Sequence, residues 1–254
     1  MNLEQHLRGW LVSLATVLFA LAGRAEVGQA EAPLSGTYIF LQKTTSITKI
    51  PVLSDVVATT RAVSIQTLNF DGTWLRGEGD LCSIDIESSS KLVKTTLPHA
   101  FRRAVPPILV NARISTEGNA RRFVQAPQTL VLGARLTEKE SEPLPSELND
   151  KRITDDDGDG KPGVTVHVSG LVDGEIYLVQ RSTSQLEGYA TKSGFHGRIR
   201  FSNEQKILEA TNKVLKRDPG ARPDPSRSEF ILHRVNAPID CKAAEAIAQR
   251  LENK

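Results

Sequence analysis

The chain has 254 residues, of which 39% are hydrophobic and 24% charged, and 32 Lys and Arg against 30 Asp and Glu leave a formal net charge of +2. That balance excludes a chain-wide polybasic nucleic-acid binder, an acidic disordered tail protein and a multi-span membrane protein. Two cysteines are too few for a zinc-ribbon array or a disulfide-dense miniprotein.

Between Arg8 and Arg24 lie fifteen uncharged residues, Gly9 to Gly23, rich in Leu, Val and Phe. As a helix they reach only about 22 Å, short of the ~30 Å hydrocarbon core of a bilayer. A short apolar run followed by small residues is the pattern of a cleaved secretory signal, with small-residue sites after Ala22, Ala25 or Ala30. Residues 1–25 are therefore read as a signal peptide and 26–254 as a single β-rich domain, exported to a periplasm or to the extracellular space. Cleavage after Ala25 removes Arg8, Arg24 and Glu4, so 30 basic side chains face 29 acidic ones on the mature chain. So even a charge balance gives no steering toward nucleic acid, and no membrane span remains once the signal is gone.

Strand signals dominate the mature chain. Gly36–Lys43 alternates in polarity, and Ala62–Leu68 turns at Asp71-Gly72 and returns through Thr73–Leu75. Leu81–Glu87 and Leu92–Leu97 come next, and Pro98 opens one helical turn through Phe101 and Ala104 that Pro106-Pro107 ends. Further strands are predicted at Leu109–Ile114, Thr129–Leu136, Val164–Val168, Glu175–Arg181, Gln185–Thr191 and Gly197–Ser202, with Asp173-Gly174 as a hairpin turn. Thr137–Asp150 is a polar loop. Asn203–Leu215 carries helical spacing with Asn203 as its cap, Arg217–Ser228 is an exposed connector with three prolines, and Phe230–Val235 is the last strand. From Cys241 onward, Ala244, Ile247, Ala248 and Leu251 form one apolar helical stripe behind the N-cap Asp240. Many short strands without a fixed repeat predict an all-β, antiparallel meander forming a barrel or sandwich, closed by a short C-terminal helix.

Cys82 alternates with Ile84 and Ile86 on one strand face, and Cys241 opens the final helix. In an oxidising compartment the two are expected to form a Cys82–Cys241 disulfide, whose long loop makes it worth about 4–5 kcal/mol in the chain-entropy model.

The sharpest local motif is Asp155-Asp156-Asp157-Gly158-Asp159-Gly160-Lys161. Alternate carboxylates at Asp155, Asp157 and Asp159 converge on one point in a turning loop, glycine supplies the tight bend, and the Lys161 carbonyl is the next ligand. Calcium is the expected cation, since hard oxygens suit it and the carboxylates repel one another without it. This stretch resembles the calcium loops of EF-hand-type, dockerin and thrombospondin type 3 modules over nine residues. It departs from the EF-hand pattern at the twelfth position, Val166, so a closing carboxylate has to come from elsewhere, with Asp150, Asp173 and Glu175 as candidates. The same string with Pro162-Gly163, the V-x-V-x-V strand and the hairpin is also similar to uncharacterised exported bacterial β-rich proteins.

A second resemblance, to lipocalin-like barrels, rests on Gly36-Thr37-Tyr38 in the first strand and Arg234 in the last. In those barrels a Gly-x-Trp opens the first strand and a late Arg packs over the ring; here Tyr stands for Trp. The resemblance implies a lumen for a small apolar ligand. No catalytic motif accompanies His99, His167, His196 or His233. Three functions are compatible with these features. The first is an exported, calcium-stabilised binding or interaction module with an unknown protein partner, and the second a lipocalin-like carrier of a small apolar ligand. The third is a hydrolase for which no motif speaks.

Overall fold

In the computed structural model of the chain, residues 34–49, 55–218, 220–236 and 238–253 are described; the signal peptide expected over residues 1–25 lies outside them. Eleven strands form one antiparallel sheet: β1 (Gly36–Thr48), β2 (Val56–Phe70), β3 (Trp74–Ser88), β4 (Val93–Thr96), β5 (Ile108–Glu117), β6 (Ala120–Leu132), β7 (Val164–Gly170), β8 (Gly174–Thr191), β9 (Gly194–Ala210), β10 (Ala221–Pro223) and β11 (Glu229–Val235). Eight of them close into a ring that visits its strands in chain order, β1-β2-β3-β5-β6-β8-β9-β11, and returns to β1. The meander is thus a barrel, and among the described residues β4 and the far half of β9 keep an unpaired edge. β11 seals the ring, pairing Phe40 with Leu232 on one side and Leu232 with Phe195 on the other.

Several predicted strands are fused. Residues 74–75 of the segment 73–75 and the whole of 81–87 are part of β3, and 175–181 and 185–191 are both part of β8. Asn203–Leu215, ambiguous in sequence despite its helical spacing, is not a helix. β9 runs on to Ala210, and only Lys213–Lys216 coil into a 3-10 turn, capped by Asn212 rather than Asn203. Within Arg217–Ser228, β10 pairs with β1 and Asp224 caps a second short 3-10 turn. The helical turn after Pro98 is present as α1 (Phe101–Ala104).

The interior is divided along the barrel axis. The half nearest the β2–β3, β5–β6 and β8–β9 turns is solid. Tyr38, Phe40, Leu75, Phe123, Leu186, Phe195 and Phe230 are buried there in one cluster. Phe123 packs at 5.3 Å from Phe195 and 5.1 Å from Phe230, ring centre to ring centre, inside the range where aromatic pairs attract beyond their area. Tyr38 donates its hydroxyl to the Leu34 carbonyl at 2.5 Å, so its one polar atom is satisfied within an apolar plug. Arg234 lies directly opposite Tyr38 in the β1–β11 register and donates to the Ser35 carbonyl at 3.2 Å.

The C-terminal helix α2 (Cys241–Glu252) covers the outer face of β1, β2 and β3, where Ala244 and Ala248 are buried against Ile39, Leu41 and Val63. The Asp240 side chain accepts from the Ala243 N–H at 2.7 Å, a cap worth about 1 kcal/mol. Arg61 on β2 bridges Glu245 at 2.9 Å and Glu252 at 2.8 Å. The Cys82–Cys241 disulfide is formed, joining β3 to the start of α2 across 159 residues. Among the described residues no helix is long and apolar enough to cross a membrane.

Candidate functional site

Beyond the aromatic plug the barrel is hollow. The cavity measures about 1240 Å³, room for about forty waters at ~30 Å³ each and large among small-molecule sites. At this end, beyond the Gly79–Ile108 pair where β3 and β5 part, the wall between β3 and β8 is pieced together rather than continuous. β4 pairs with β7, β7 pairs with the first residues of β8, and α1 fills the remaining space. Its inward side chains are apolar: Ile84 and Ile86 from β3, Phe101 from α1, Val166 and Val168 from β7, Leu178 from β8. The facing wall, on β6, β8 and β9, carries a neutral polar strip, with Gln128, Gln180, Ser182, Ser184, Asn203 and Gln205 on the lumen side, flanked by Leu130, Leu132, Phe201 and Ile207. Past Ile199, β9 pairs along one edge only, with β8, among the described residues. The lumen is therefore breached beside β9.

The acidic loop adjoins the apolar wall. Gly158 and Gly160 take positive φ, 67° and 82°, and a bridge between Asp155 and Gly163 closes the turn. Gly163 is held at φ 87°, and a Cβ there would meet the Leu178 carbonyl at 2.3 Å. No other residue fits where the loop crosses β8. The alternation has its expected effect, because carboxylate oxygens of Asp155, Asp157 and Asp159 all lie within 4.8 Å of one another. Oxygens on opposite sides of one calcium ion are about 5 Å apart, twice the ~2.4 Å bond, so the spacing fits. Asp156 points the other way. Its Oδ2 accepts from the Gly133 N–H at 2.7 Å, and its Oδ1 pairs with Arg135 at 2.9 Å.

Within the triad the oxygens are unequally used. Asp155 accepts from the Asp159 and Gly160 N–H groups at 3.0 and 2.9 Å. Asp159 accepts from the Lys161 N–H at 2.8 Å and from the Thr165 hydroxyl at 2.6 Å. Asp157 is completely buried; its Oδ2 accepts from the Thr165 N–H at 2.9 Å, while its Oδ1 has no partner among the described residues. Burial pushes the Asp157 carboxyl above the usual carboxylate range against the hydrogen bond from the Thr165 N–H, and the adjacent Asp159 and Asp155 carboxylates push it further up, Asp155 also through side-chain hydrogen bonding. Asp155 is held below that range although burial opposes it, because backbone N–H groups led by Gly160 favour its charged form. A buried carboxylate oxygen with nothing to bond is costly, and a hard cation between the three side chains would satisfy it. Three carboxylates so placed could hold a hard cation.

Lys161 directs its N–H to Asp159 and sets its ammonium 5.5 Å over the Tyr177 ring. None of the three carboxylates considered for closing the site joins the cluster. Asp150 is engaged by Arg152 at 2.6 Å, Asp173 accepts from the Gly170 N–H at 3.0 Å, and Glu175 accepts from the Tyr177 hydroxyl at 2.7 Å. His167 and His196 face Glu175 and Glu229 at 3.4 and 3.2 Å; neither lines the lumen.

Sequence reasoning missed the polar wall. Nothing in the local sequence marks Gln180, Ser182 and Ser184 as lumen residues, and only closure of the ring turns them inward. No protein-family model, curated protein or solved structure matches the chain. The fold and the cavity therefore define the class by themselves: an eight-stranded up-and-down barrel with a half-filled lumen and a flanking helix.

Proposed function

We propose that this chain is an exported, lipocalin-like carrier that takes a small, largely apolar molecule into its lumen, with calcium held in the Asp155–Asp157–Asp159 loop as a brace. The single observation behind the carrier reading is the 1240 Å³ cavity with one apolar wall above a solid aromatic floor. A protein whose role was only to present its outer surface would gain stability by filling that space, since interiors normally pack to crystal density. The adjacency of Tyr38 and Arg234 at the closed end of the barrel agrees with the lipocalin likeness. Export is supported by the apolar run Gly9 to Gly23 and by a disulfide that an oxidising compartment would preserve. The unpaired Oδ1 of Asp157 supports the cation.

The test is titration with N-phenyl-1-naphthylamine, whose fluorescence rises in apolar surroundings. The chain is expected to bind it with one site, and Ile86→Trp, which fills the lumen from β3, is expected to abolish that site while leaving the melting temperature within a few degrees. No enhancement with the parent chain, or unchanged binding by the filled variant, overturns the carrier reading. Native mass spectrometry of protein purified without chelator reports a bound cation in the same preparation.

A further inference from the structure

The division of the lumen into two unlike walls narrows what it can hold. On the polar side the strand register sets the side chains in adjacent rows: Gln180 lies opposite Gln205, Ser182 opposite Asn203, and Ser184 opposite both Gln128 and Phe201. Gln128, Gln180, Ser182, Ser184, Asn203 and Gln205 thus form one contiguous strip on three neighbouring strands. Part of its capacity is used internally, since Gln180 Nε2 donates to Ser182 Oγ at 2.9 Å and Ser182 Oγ donates to Asn203 Oδ1 at 2.6 Å. Each carboxamide offers two donors and an acceptor, and each hydroxyl both roles, so the strip presents an excess of neutral hydrogen-bonding groups to whatever fills the cavity. Groups of this kind are stable beside an apolar occupant only if that occupant, or trapped water, satisfies them.

Charge is placed quite differently. Only Glu78, Lys139, Glu140 and Arg217 among the lining residues are charged, and all four are exposed. Neither the strip nor the apolar wall carries a cation, so a carboxylate or phosphate drawn into the lumen would be desolvated with no counter-charge beside it.

We infer that the ligand is an uncharged amphiphile whose hydroxyl or amide groups lie along one face and meet the Gln128–Gln205 strip, while its apolar body lies on the β3–α1–β7 wall; a fatty-acid anion is selected against. This rests on the carrier reading proposed above. The experiment compares monolaurin with laurate at pH 9, the two sharing one acyl chain, as competitors for N-phenyl-1-naphthylamine. Monolaurin is expected to displace the dye at least ten-fold more effectively. In the Gln180→Leu/Gln205→Leu variant that advantage, with each competitor referred to the variant's own dye affinity, is expected to fall five-fold or more, and a cooperative melting transition shows that the variant is folded. Should that pair disturb folding, Gln128→Leu/Ser184→Ala removes the other half of the strip with the same expectation. Equal or tighter binding of laurate, or an advantage that survives loss of the strip, overturns the inference and leaves the carrier reading standing. Absence of dye binding by the parent chain overturns the carrier reading and this inference together.

Discussion

Asp157→Asn should move stability in opposite directions depending on calcium. Without the cation, the folded chain buries a carboxylate whose Oδ1 has no partner and whose neighbours are both acidic. Its pKa is raised by burial, so the native state binds this proton more tightly than the unfolded state. Stability from this group is accordingly lost as pH rises through the window above the ordinary value of 3.8. At pH 7 the cost of the unsatisfied buried group is about 1–3 kcal/mol. The asparagine keeps an oxygen for the Thr165 N–H and turns an N–H₂ toward Asp155 and Asp159, so in chelator the variant should melt about 2–12 °C higher than the parent, at roughly 2–4 °C per kcal/mol for a domain of this size. In calcium at a hundred times its dissociation constant, the parent gains about 2.7 kcal/mol and the variant much less, so the advantage in chelator should vanish or reverse. Differential scanning calorimetry at pH 7 with EDTA and with calcium reads both signs. A variant that melts below the parent in EDTA, by the same margin in calcium, would refute the reasoning and reduce the loop to a hydrogen-bonded turn.

Three further predictions test the scaffold. Cys82→Ser with Cys241→Ser frees a loop spanning 159 residues and should cost up to about 5 kcal/mol in denaturant unfolding; a loss below about 1 kcal/mol would mean that α2 is held by its packing alone. Phe123→Ala removes a fully buried ring that touches Phe195 and Phe230 and should cost about 3–5 kcal/mol, measured by the shift in urea midpoint at constant slope. Asp150 is drawn down to about 2 by its hydrogen bonds from Arg152, so its contribution is present above the ordinary 3.8 and lost as pH falls toward about 2. Asp150→Asn should therefore flatten the acid limb of the melting curve in that window, and an unchanged limb would place acid sensitivity elsewhere.

How far the residues reveal the molecule depends on how many faces of each strand are covered. Where one face meets the core and the other meets water, polarity alternates; β1 and the Asp71-Gly72 turn are readable for that reason, as is the stripe of α2. β9 misleads because both its faces are covered near Ile207. Ile207 lines the lumen, and Leu208 packs outside against Leu144 and Val179 beneath the 133–153 loop. A register shift opposite Tyr177 and Leu178 then changes which side chains face inward, and the resulting apolar run imitates a helical period. The acidic triad is legible because its geometry is local, set by alternate residues in one turn. The polar strip is not local. It exists only once β11 closes the ring, and until then its glutamines and serines are indistinguishable from a solvent face.

The loop and the lumen are mechanically one structure. At the hollow end, beyond the Gly79–Ile108 pair where β3 and β5 part, short β4, short α1 and seven-residue β7 complete the barrel wall between the second half of β3 and the start of β8. Such pieces make few ladder hydrogen bonds of their own, so their position depends on what grips them from outside. The acidic loop grips two of the three. Arg103 of α1 donates from Nε and Nη2 to the Asp157 carbonyl at 2.9 and 2.6 Å, and Thr165 of β7 gives its N–H to Asp157 and its hydroxyl to Asp159. Each anchor is one residue or two from a side chain on the apolar wall: Phe101 lies near Arg103 on the one element, and Val166 beside Thr165 on the other. Whatever fixes Asp157 and Asp159 in place therefore also fixes the surface against which an apolar ligand would lie.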